Sequence, residues 1–264
     1  MSVDLDALAA GFEPITLIEV ESRAALQTRV DNKYLVDLAT FARVGRELAP
    51  GYLALEVAGK RVSVYDTIYF DTPSLLSYRQ HRQGRRRRFK CRTRLYGNGG
   101  PCFFEVKLKG GRNETVKRRM PIALADHGLF TEPAHAFLEQ ELQRAYGAAA
   151  PNRLDPALRT IYARLTLVGR ASVERVTCDF ALGFSGSKAD RHRIRPGRVL
   201  LETKSEHGNG EADRLLRSLG ERPWASCSKY CLGVALSNPE LSGNTFRRVL
   251  RHHFDPAPHG AARA

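Results

Sequence analysis

The sequence contains no CxxC pair and no Cys/His quartet at zinc spacing. Its five cysteines are odd in number and scattered, which argues against both a disulfide framework and a structural zinc site. They are Cys91, Cys102, Cys178, Cys227 and Cys231. We therefore expect reduced thiols in the core of a protein in the cytosol.

Long apolar runs and metalloenzyme histidine motifs are also missing. No run approaches the roughly 18 apolar residues that span a bilayer, and the N-terminus does not resemble a secretory signal. The eight histidines form neither HxH nor HExxH, so none is assigned to catalysis. We expect a soluble cytoplasmic protein, with peripheral binding at the inner face of the membrane, through a basic surface or a membrane-protein partner, as the alternative.

Acidic residues are scarce relative to basic ones. Asp and Glu number 28 against 42 Lys and Arg, which leaves a formal net charge of +14 over 264 residues. Such a charge favours nucleic acid, an anionic membrane or a polyphosphorylated ligand as partner. Only the distribution of the charges along the chain can separate these three classes.

Alternating apolar residues predict most of the chain to be strands, with a few helices between them. This order of elements is typical of an α+β protein with a mainly antiparallel sheet. We expect an N-terminal arm over 1–22, one domain over 23–240 and a basic, loose tail over 241–264. Strands are predicted from Arg29 and over 62–70, 88–96, 102–109, 114–122, 159–168, 171–180 and 199–204; helices are predicted over 38–48, 133–146 and 211–219, with a short helical segment through Tyr78.

One predicted strand has an entirely cationic face. Residues two apart on a strand share a face, so the basic residues of 88–96 form one row and its apolar residues form the other. The basic row is Arg88, Lys90, Arg92 and Arg94. For a single strand, a solvated polar face is the usual interpretation.

Mixed charged rows recur in four other predicted strands, which weakens that interpretation. If the sheet closes into a barrel with helices packed outside, these rows face the lumen. An excess of buried cations costs several kcal/mol per unpaired ion, so a basic lumen needs an anionic guest. A triphosphate or polyphosphate matches guanidinium groups well. The rows are Arg29/Asp31/Lys33, Glu105/Lys107/Lys109, Arg175/Thr177/Asp179 and Glu202/Lys204.

The carboxylates within these rows are candidate ligands of Mg²⁺ or Mn²⁺, which prefer oxygen donors. Glu202 is the first candidate, followed by Glu105 and Asp179. The alternative is that each carboxylate is an internal partner of neighbouring cations.

Nine short segments in order make the chain resemble the VTC domain, the polyphosphate polymerase domain of the vacuolar transporter chaperone complex and a member of the triphosphate tunnel metalloenzymes. Each motif is weak alone, but their order across residues 29–233 makes chance agreement improbable. They are RVDNKYLV at 29–36, YFDTPSLLSY at 69–78, RFKCRTRLYG at 88–97, FFEVKLK at 103–109, TVKRRMP at 115–121, YARL at 162–165, RVTCDFAL at 175–182, LLETK at 200–204 and SCSKYCLG at 226–233.

The resemblance implies a phosphate-binding tunnel, a divalent metal held by Glu202, and ATP and polyphosphate as ligands. It implies catalytic roles for Lys33, Arg92, Arg94, Arg164 and Lys229, and phosphate binding by Lys107 and Arg175. Strand parity, the charged rows and the motifs add Arg29, Arg88, Lys90, Lys109, Lys117 and Lys204. One departure is Asp31, where bacterial members usually carry Glu; the shorter side chain could move a metal or the partner of Lys33.

Fold membership does not determine the reaction, because relatives of this family hydrolyse triphosphates, cyclise ATP or act on thiamine triphosphate. ATP-dependent polyphosphate synthesis is the leading hypothesis, and a triphosphatase or a non-catalytic polyphosphate-binding module are alternatives. Nucleic-acid binding is a further class, supported by Arg85–Arg88 and Arg191–Arg198. Such runs are more often solvated, and nearby Phe89 and Tyr96 fit strand packing better than base stacking, so no nucleic-acid partner is expected.

Overall fold

A computed structural model of the protein describes residues 4–23, 30–97, 99–110, 115–186, 191–225, 227–241 and 243–255. Strands and helices alternate irregularly along it. The strands are β1 (Glu13–Ile15), β2 (Val30–Asp37), β3 (Tyr52–Leu55), β4 (Val62–Asp71), β5 (Arg88–Tyr96), β6 (Cys102–Lys109), β7 (Thr115–Ile122), β8 (Asp155–Gly169), β9 (Arg175–Gly186), β10 (Arg191–Arg193) and β11 (Arg198–Ser205). The helices are α1 (Leu5–Ala10), α2 (Leu17–Arg23), α3 (Leu38–Leu48), α4 (Leu76–Arg82), α5 (Glu132–Tyr146), α6 (Glu211–Ser218), α7 (Lys229–Ser237) and α8 (Gly243–His253).

The main sheet is antiparallel, which confirms the predicted α+β class. Its strands are hydrogen-bonded in the order β2-β11-β9-β8-β4-β5-β6-β7, with β10 beside β9 and β3 beside β8. Among the described residues, β2 and β7 each have one neighbour in this order, so hydrogen bonds do not close the sheet into the barrel that the sequence predicted. The parallel pair β1 and β3 is the exception to the antiparallel pattern.

The chain divides into two compact units. The first contains Met1–Val64, Tyr162–Leu182 and Ile194–Ser226, and the second contains Tyr65–Ile161, Gly183–Arg193 and Cys227–Ala264. Strands β4, β8 and β9 contribute residues to both units. The predicted N-terminal arm belongs to the first unit, where Ala9 and Phe12 are buried in the core.

In the first unit, helices cover one face of the strands. Val176, Cys178 and Phe180 of β9 pack in the same core as Phe41 and Val44 of α3. Helix α3 begins where the sequence predicts, because the carboxylate of its N-cap, Asp37, accepts a hydrogen bond from the Thr40 amide at 2.8 Å. The alternate residues of β9, which carry the charges, therefore lie on the opposite face.

A buried carboxylate ties β2 and β11 together on that helix-covered side. Asp213 of α6 is fully buried and accepts hydrogen bonds from Asn32 Nδ2 at 2.9 Å, Tyr34 OH at 2.7 Å and Thr203 Oγ1 at 2.8 Å. Thr203 and Asn32 are partners in the strand register, so the same register places Glu202 opposite Lys33.

The second unit repeats this two-faced arrangement. Phe89 and Cys91 of β5 pack with Phe104 and Val106 of β6 in a core that includes Leu138 of α5. Helix α5 ends at Gly147, whose φ of 63° is the left-handed conformation favoured at a helix C-terminus. As predicted from the alternation in 88–96, the apolar row is buried and the basic row occupies the other face.

Several elements differ from the sequence predictions. Residues 243–253 form α8, with Phe246 and Val249 buried, instead of a loose tail, because these apolar residues recur at helical spacing. The part of the predicted tail after residue 255 lies outside the described residues. Helix α7 and the short strands β1, β3 and β10 were not predicted, since an almost wholly buried helix or a strand of three or four residues has little periodic signal.

A glycine contact provides a test of packing in the second unit. A Cβ built on Gly233 of α7 would lie 2.4 Å from Leu158 Cδ2 and 2.6 Å from Phe184 Cδ1, whereas one on Gly45 of α3 would have Phe12 Cζ at 3.9 Å as its nearest neighbour. We expect Gly233→Ala to lower the free energy of unfolding by about 1–3 kcal/mol through overpacking. Gly45→Ala, the control, should be neutral or stabilising by up to about 1 kcal/mol. Chemical denaturation measures both, and equal effects would contradict the packing.

Candidate functional site

The most strongly charged sheet surface lies in the second unit, on the face of β5, β6 and β7 opposite α5. Residues paired across neighbouring strands point to the same side, and the register sets Arg92 beside Glu105 and Arg119, and Lys90 beside Lys107 and Lys117. We call this surface the basic face. It comprises eight cations and one carboxylate, namely Arg88, Lys90, Arg92, Arg94, Lys107, Lys109, Lys117, Arg119 and Glu105.

Glu105 is surrounded by donors. Its carboxylate contacts Arg92 Nη2 at 2.6 Å, Lys117 Nζ at 2.5 Å and Tyr96 OH at 2.6 Å, and Arg94 Nη1 lies at 3.9 Å. Glu105 is only 2% exposed and Arg94 only 5%. Glu105 and Arg94 are therefore not part of a solvated polar face, the alternative that alternation alone left open, whereas the Lys117 side chain is 40% exposed.

The ionisation of this cluster follows from its charges. Burial by itself would raise the pKa of Glu105, but Arg92, Arg94 and Lys117 hold the pKa well below its usual range. Burial lowers the pKa of Lys117 to about 8, although Glu105 opposes the shift. One carboxylate thus serves several cations, and further negative charge on the basic face would be stabilised.

The pKa of Tyr69 reflects the positive charge around one end of the basic face. Its hydroxyl accepts a hydrogen bond from Arg92 Nη1 at 2.9 Å. Burial would raise the pKa of Tyr69, yet the charges of Arg92 and Arg94, and then of Lys229 and Lys90, lower it. Lys229, predicted only from the resemblance, therefore acts on the same hydroxyl as the predicted Arg92 and Arg94.

The start of α7 places Lys229. Ser228 is the N-cap, and its Oγ accepts hydrogen bonds from the Cys231 amide at 3.5 Å and from Lys90 Nζ at 2.8 Å. Lys90 of β5 thus contacts the residue that precedes Lys229 in the chain. This contact connects the basic face with the helix N-terminus, whose dipole also favours anions.

The first unit carries a charged face of different character. Glu202 of β11 contacts Lys33 Nζ at 2.8 Å and Lys204 Nζ at 3.2 Å. Asp31, the residue that departs from the usual Glu, lies opposite Lys204 in the register. Burial lowers the pKa of Lys204 to about 8, opposed first by Glu202 and partly by Asp31.

A bidentate pair completes this face. Arg164 Nε and Nη2 donate to the two oxygens of Asp179 at 2.6 and 2.8 Å, and Asp179 is fully buried. We call the surface the mixed face, because four cations meet three carboxylates on it. Its charged residues are Asp31, Lys33, Arg164, Arg175, Asp179, Glu202 and Lys204.

Among the candidate metal ligands, Glu202 fits a divalent cation best. Asp179 is occupied by Arg164 and Glu105 by its cations, whereas the Glu202 side chain is 14% exposed and its partners are flexible lysines. No group of three His, Cys, Asp or Glu suited to a metal occurs in the described part of the chain. A Mg²⁺-like ion bound by one carboxylate together with phosphate oxygens needs no such group.

The structure thus distributes the predicted site residues over two faces. Lys33, Arg164, Arg175, Lys204, Glu202 and Asp179 lie on the mixed face, and the remaining described ones lie on or beside the basic face; Arg29 lies outside the described residues. Sequence reasoning missed Arg119, Tyr69 and Tyr96. Arg119 could have been found, since it shares strand parity with Lys117. The five cysteines are free and buried, as expected.

A family comparison agrees with this geometry. The model of the VTC domain matches residues 28–238 of the chain. This protein belongs to the VTC domain family. The family match covers both charged faces and ends just beyond α7. No curated protein sequence matches the chain.

Solved structures similar to this VTC domain chain are distant. The PH1819 protein from Pyrococcus horikoshii is 15% identical with a TM-score of 0.47, and the alignment covers 80% of this chain and 99% of that one. The Hippeastrum protein HpAC1, described as an adenylyl cyclase with dominant triphosphatase activity, is 14% identical with a TM-score of 0.49, over 78% and 94%. Within the described ranges, no helix is long and apolar enough to cross a membrane.

The crowding of cations around Glu105 can be tested by Glu105→Gln. Removing one partner of a buried ion cluster costs about 3–5 kcal/mol, so the variant should melt well below the wild type in phosphate-free buffer. Tripolyphosphate should raise its melting temperature more than that of the wild type, because added anion replaces the lost charge.

Glu56→Gln is the matched control, since Glu56 pairs with Arg61 at 3.1 Å where both side chains are partly exposed. Such a pair contributes about 0–1 kcal/mol. Equal melting temperatures for Glu105→Gln and the wild type would contradict the proposed burial of the cluster.

Proposed function

We propose that this protein is an ATP-dependent polyphosphate polymerase that transfers the γ-phosphoryl group of ATP to the end of a polyphosphate chain. The observation that supports it is the charge of the basic face, where eight cations share one side of three strands with a single carboxylate. A linear polyanion with regularly spaced charges compensates such a surface better than a single anion does.

The basic face holds phosphates in this proposal. Arg92 and Arg94 are fixed before any ligand binds, because Glu105 and the hydroxyls of Tyr69 and Thr67 orient their guanidinium groups. Preorganised donors stabilise developing charge without reorganisation. Lys90, Lys107 and Lys117 present more mobile ammonium groups to the same chain.

Phosphoryl transfer itself needs positioning and charge stabilisation more than a protein nucleophile. The terminal phosphate oxygen of the growing chain forms a bond to the γ-phosphorus while the bond to the bridging oxygen of ADP breaks. Lys33 and Arg164 of the mixed face are assigned to neutralise the charge that spreads over the transferred group, and Lys229 is assigned to neutralise phosphate charge beside the basic face. Asp179 keeps the Arg164 guanidinium in a single orientation.

Mg²⁺ or Mn²⁺, held by Glu202 together with phosphate oxygens, would neutralise further charge on the nucleotide. Lys33 and Lys204 hold Glu202 by its two oxygens. The proposed roles of Glu105 and Asp179 are those of internal partners for arginine, while Glu202 is the proposed metal ligand.

Incubation with ATP and Mn²⁺, followed by ³¹P NMR and gel electrophoresis, tests the reaction. We expect internal phosphate resonances and ADP to grow together, and Glu202→Gln to lose this turnover while retaining polyphosphate binding. Glu47→Gln, on an exposed pair with Arg43, is the control. Inorganic phosphate as the sole new product would identify a triphosphatase, and binding without turnover would identify a non-catalytic module.

Two lysines with pKa values near 8 predict a pH dependence of phosphate binding. Lys117 and Lys204 carry full charge below that pH and lose it as the pH rises through 8. Tripolyphosphate affinity should therefore fall by up to about tenfold per lysine between pH 7 and 9, with proton uptake on binding near pH 8.

Calorimetry in buffers of different ionisation enthalpy measures both quantities. Lys117→Arg should flatten the fall, because a guanidinium stays charged throughout this range. An affinity that is unchanged from pH 7 to 9 in the wild type would exclude this assignment.

A further inference from the structure

The basic face continues in the chain as a run of exposed arginines. Arg85, Arg86 and Arg87 precede β5 directly and are exposed, whereas Arg88, the first residue of the strand, is half-buried. Arg88 Nη1 donates a hydrogen bond to the carbonyl of Arg85, so the run folds back onto the end of the basic face. All four residues belong to the second unit.

One tyrosine fixes the place where the run meets the sheet. The hydroxyl of Tyr146, the last residue of α5, accepts a hydrogen bond from the Lys109 amide at 2.9 Å and lies 2.7 Å from the Arg88 carbonyl. The Tyr146 carbonyl in turn accepts a hydrogen bond from Arg87 Nη1 at 3.3 Å. The run is therefore attached to the basic face through ordered contacts.

The contacts of the run leave its charges uncompensated. Arg85 donates to the Gln83 side-chain oxygen at 3.0 Å, and Arg87 and Arg88 donate to backbone carbonyls. Within the described part of the chain, none of the four arginines pairs with a carboxylate. Neutral acceptors thus hold the guanidinium groups of Arg85, Arg87 and Arg88 in place without reducing their charge.

Three arginines outside the run differ in this respect, because they pair with carboxylates. The pairs are Arg43–Glu47 at 3.2 Å, Arg153–Asp155 at 3.0 Å and Arg170–Glu13 at 2.8 Å. Adjacent like charges repel, so an uncompensated run attached to an already cationic surface favours an external polyanion.

We propose that Arg85, Arg86 and Arg87 extend the phosphate-binding track of the basic face beyond the sheet and bind the outlying part of a long polyphosphate chain. A triphosphate is too short to occupy the basic face and the run together. The segment would therefore make the protein prefer long chains to short ones. This inference rests on the proposed function, because it assumes that the basic face binds polyphosphate.

The run also resembles a nucleic-acid-binding segment, but its surroundings favour polyphosphate. Proteins that bind single strands usually offer exposed aromatic rings for base stacking. Phe89, the next aromatic residue along the chain, is 6% exposed and packs in the core of the second unit. Charge without a stacking platform suits a polyanion that has no bases.

The test compares two triple variants of the full chain that remove equal charge. One is Arg85→Gln/Arg86→Gln/Arg87→Gln, and the control is Arg43→Gln/Arg153→Gln/Arg170→Gln. Affinities for long-chain polyphosphate, tripolyphosphate and polyuridylate are measured at several salt concentrations, and circular dichroism melting verifies that both variants fold.

We expect the run variant to lose about tenfold or more in affinity for long chains, with a salt slope smaller by about two to three. Its tripolyphosphate affinity should change less than about twofold, and the control variant should keep both affinities. Equal losses for both polymer lengths, equal losses in the control, or no loss would overturn the inference. Tighter binding of polyuridylate that the run variant alone abolishes would identify a nucleic-acid surface instead.

Failure of the proposed function gives a different result. If the wild type binds long polyphosphate through the run but forms no polymer from ATP, the binding inference stands and the proposed polymerase activity is wrong. If the run variant still elongates chains from ATP and binds long chains normally, the polymerase activity stands and the binding inference is wrong.

Discussion

The Glu105 carboxylate is the interaction on which the basic face depends. Three cations and a tyrosine hydroxyl converge on one buried side chain, so the arginines of β5 are held straight although they repel one another. Without this carboxylate the arginines would lose the negative charge beside them, and removing one partner from a buried ion cluster costs several kcal/mol. With more carboxylates, the face would be neutral and would have no need of an anionic ligand.

The two faces differ in how nearly their charges cancel, and the separate roles proposed for them rest on this difference. On the mixed face, Lys33 and Lys204 share Glu202, so net charge is small and a carboxylate remains partly exposed. The basic face retains most of its positive charge. One surface thus suits a metal-bound phosphoryl group, and the other suits an extended polyanion.

Much of this arrangement could be predicted from the sequence, because strand parity alone separates Arg92 from Cys91 and assigns each to a face. The role of Asp37 as the N-cap of α3 could also be predicted from the sequence. Two features could not be predicted from the sequence: that hydrogen bonds leave the sheet open, and that several donors converge on Glu105. Both depend on cross-strand register, which is set by pairing between distant segments. Tyr69 was read as a packing residue, because nothing in its neighbourhood along the chain reveals that Arg92 donates to its hydroxyl.

Asp213 stabilises one register between β2 and β11, the strands that carry much of the mixed face. Its three side-chain donors lie on β2 and β11 at positions that match only when Thr203 is paired with Asn32. A shift of β2 by one residue would turn Lys33 toward the helices and move Asn32 and Tyr34 away from the buried Asp213 carboxylate. A wrong register is therefore destabilised by lost hydrogen bonds on the helix-covered side of the sheet. The chain can thus select the correct register while it folds, before phosphate or metal binds to the opposite side.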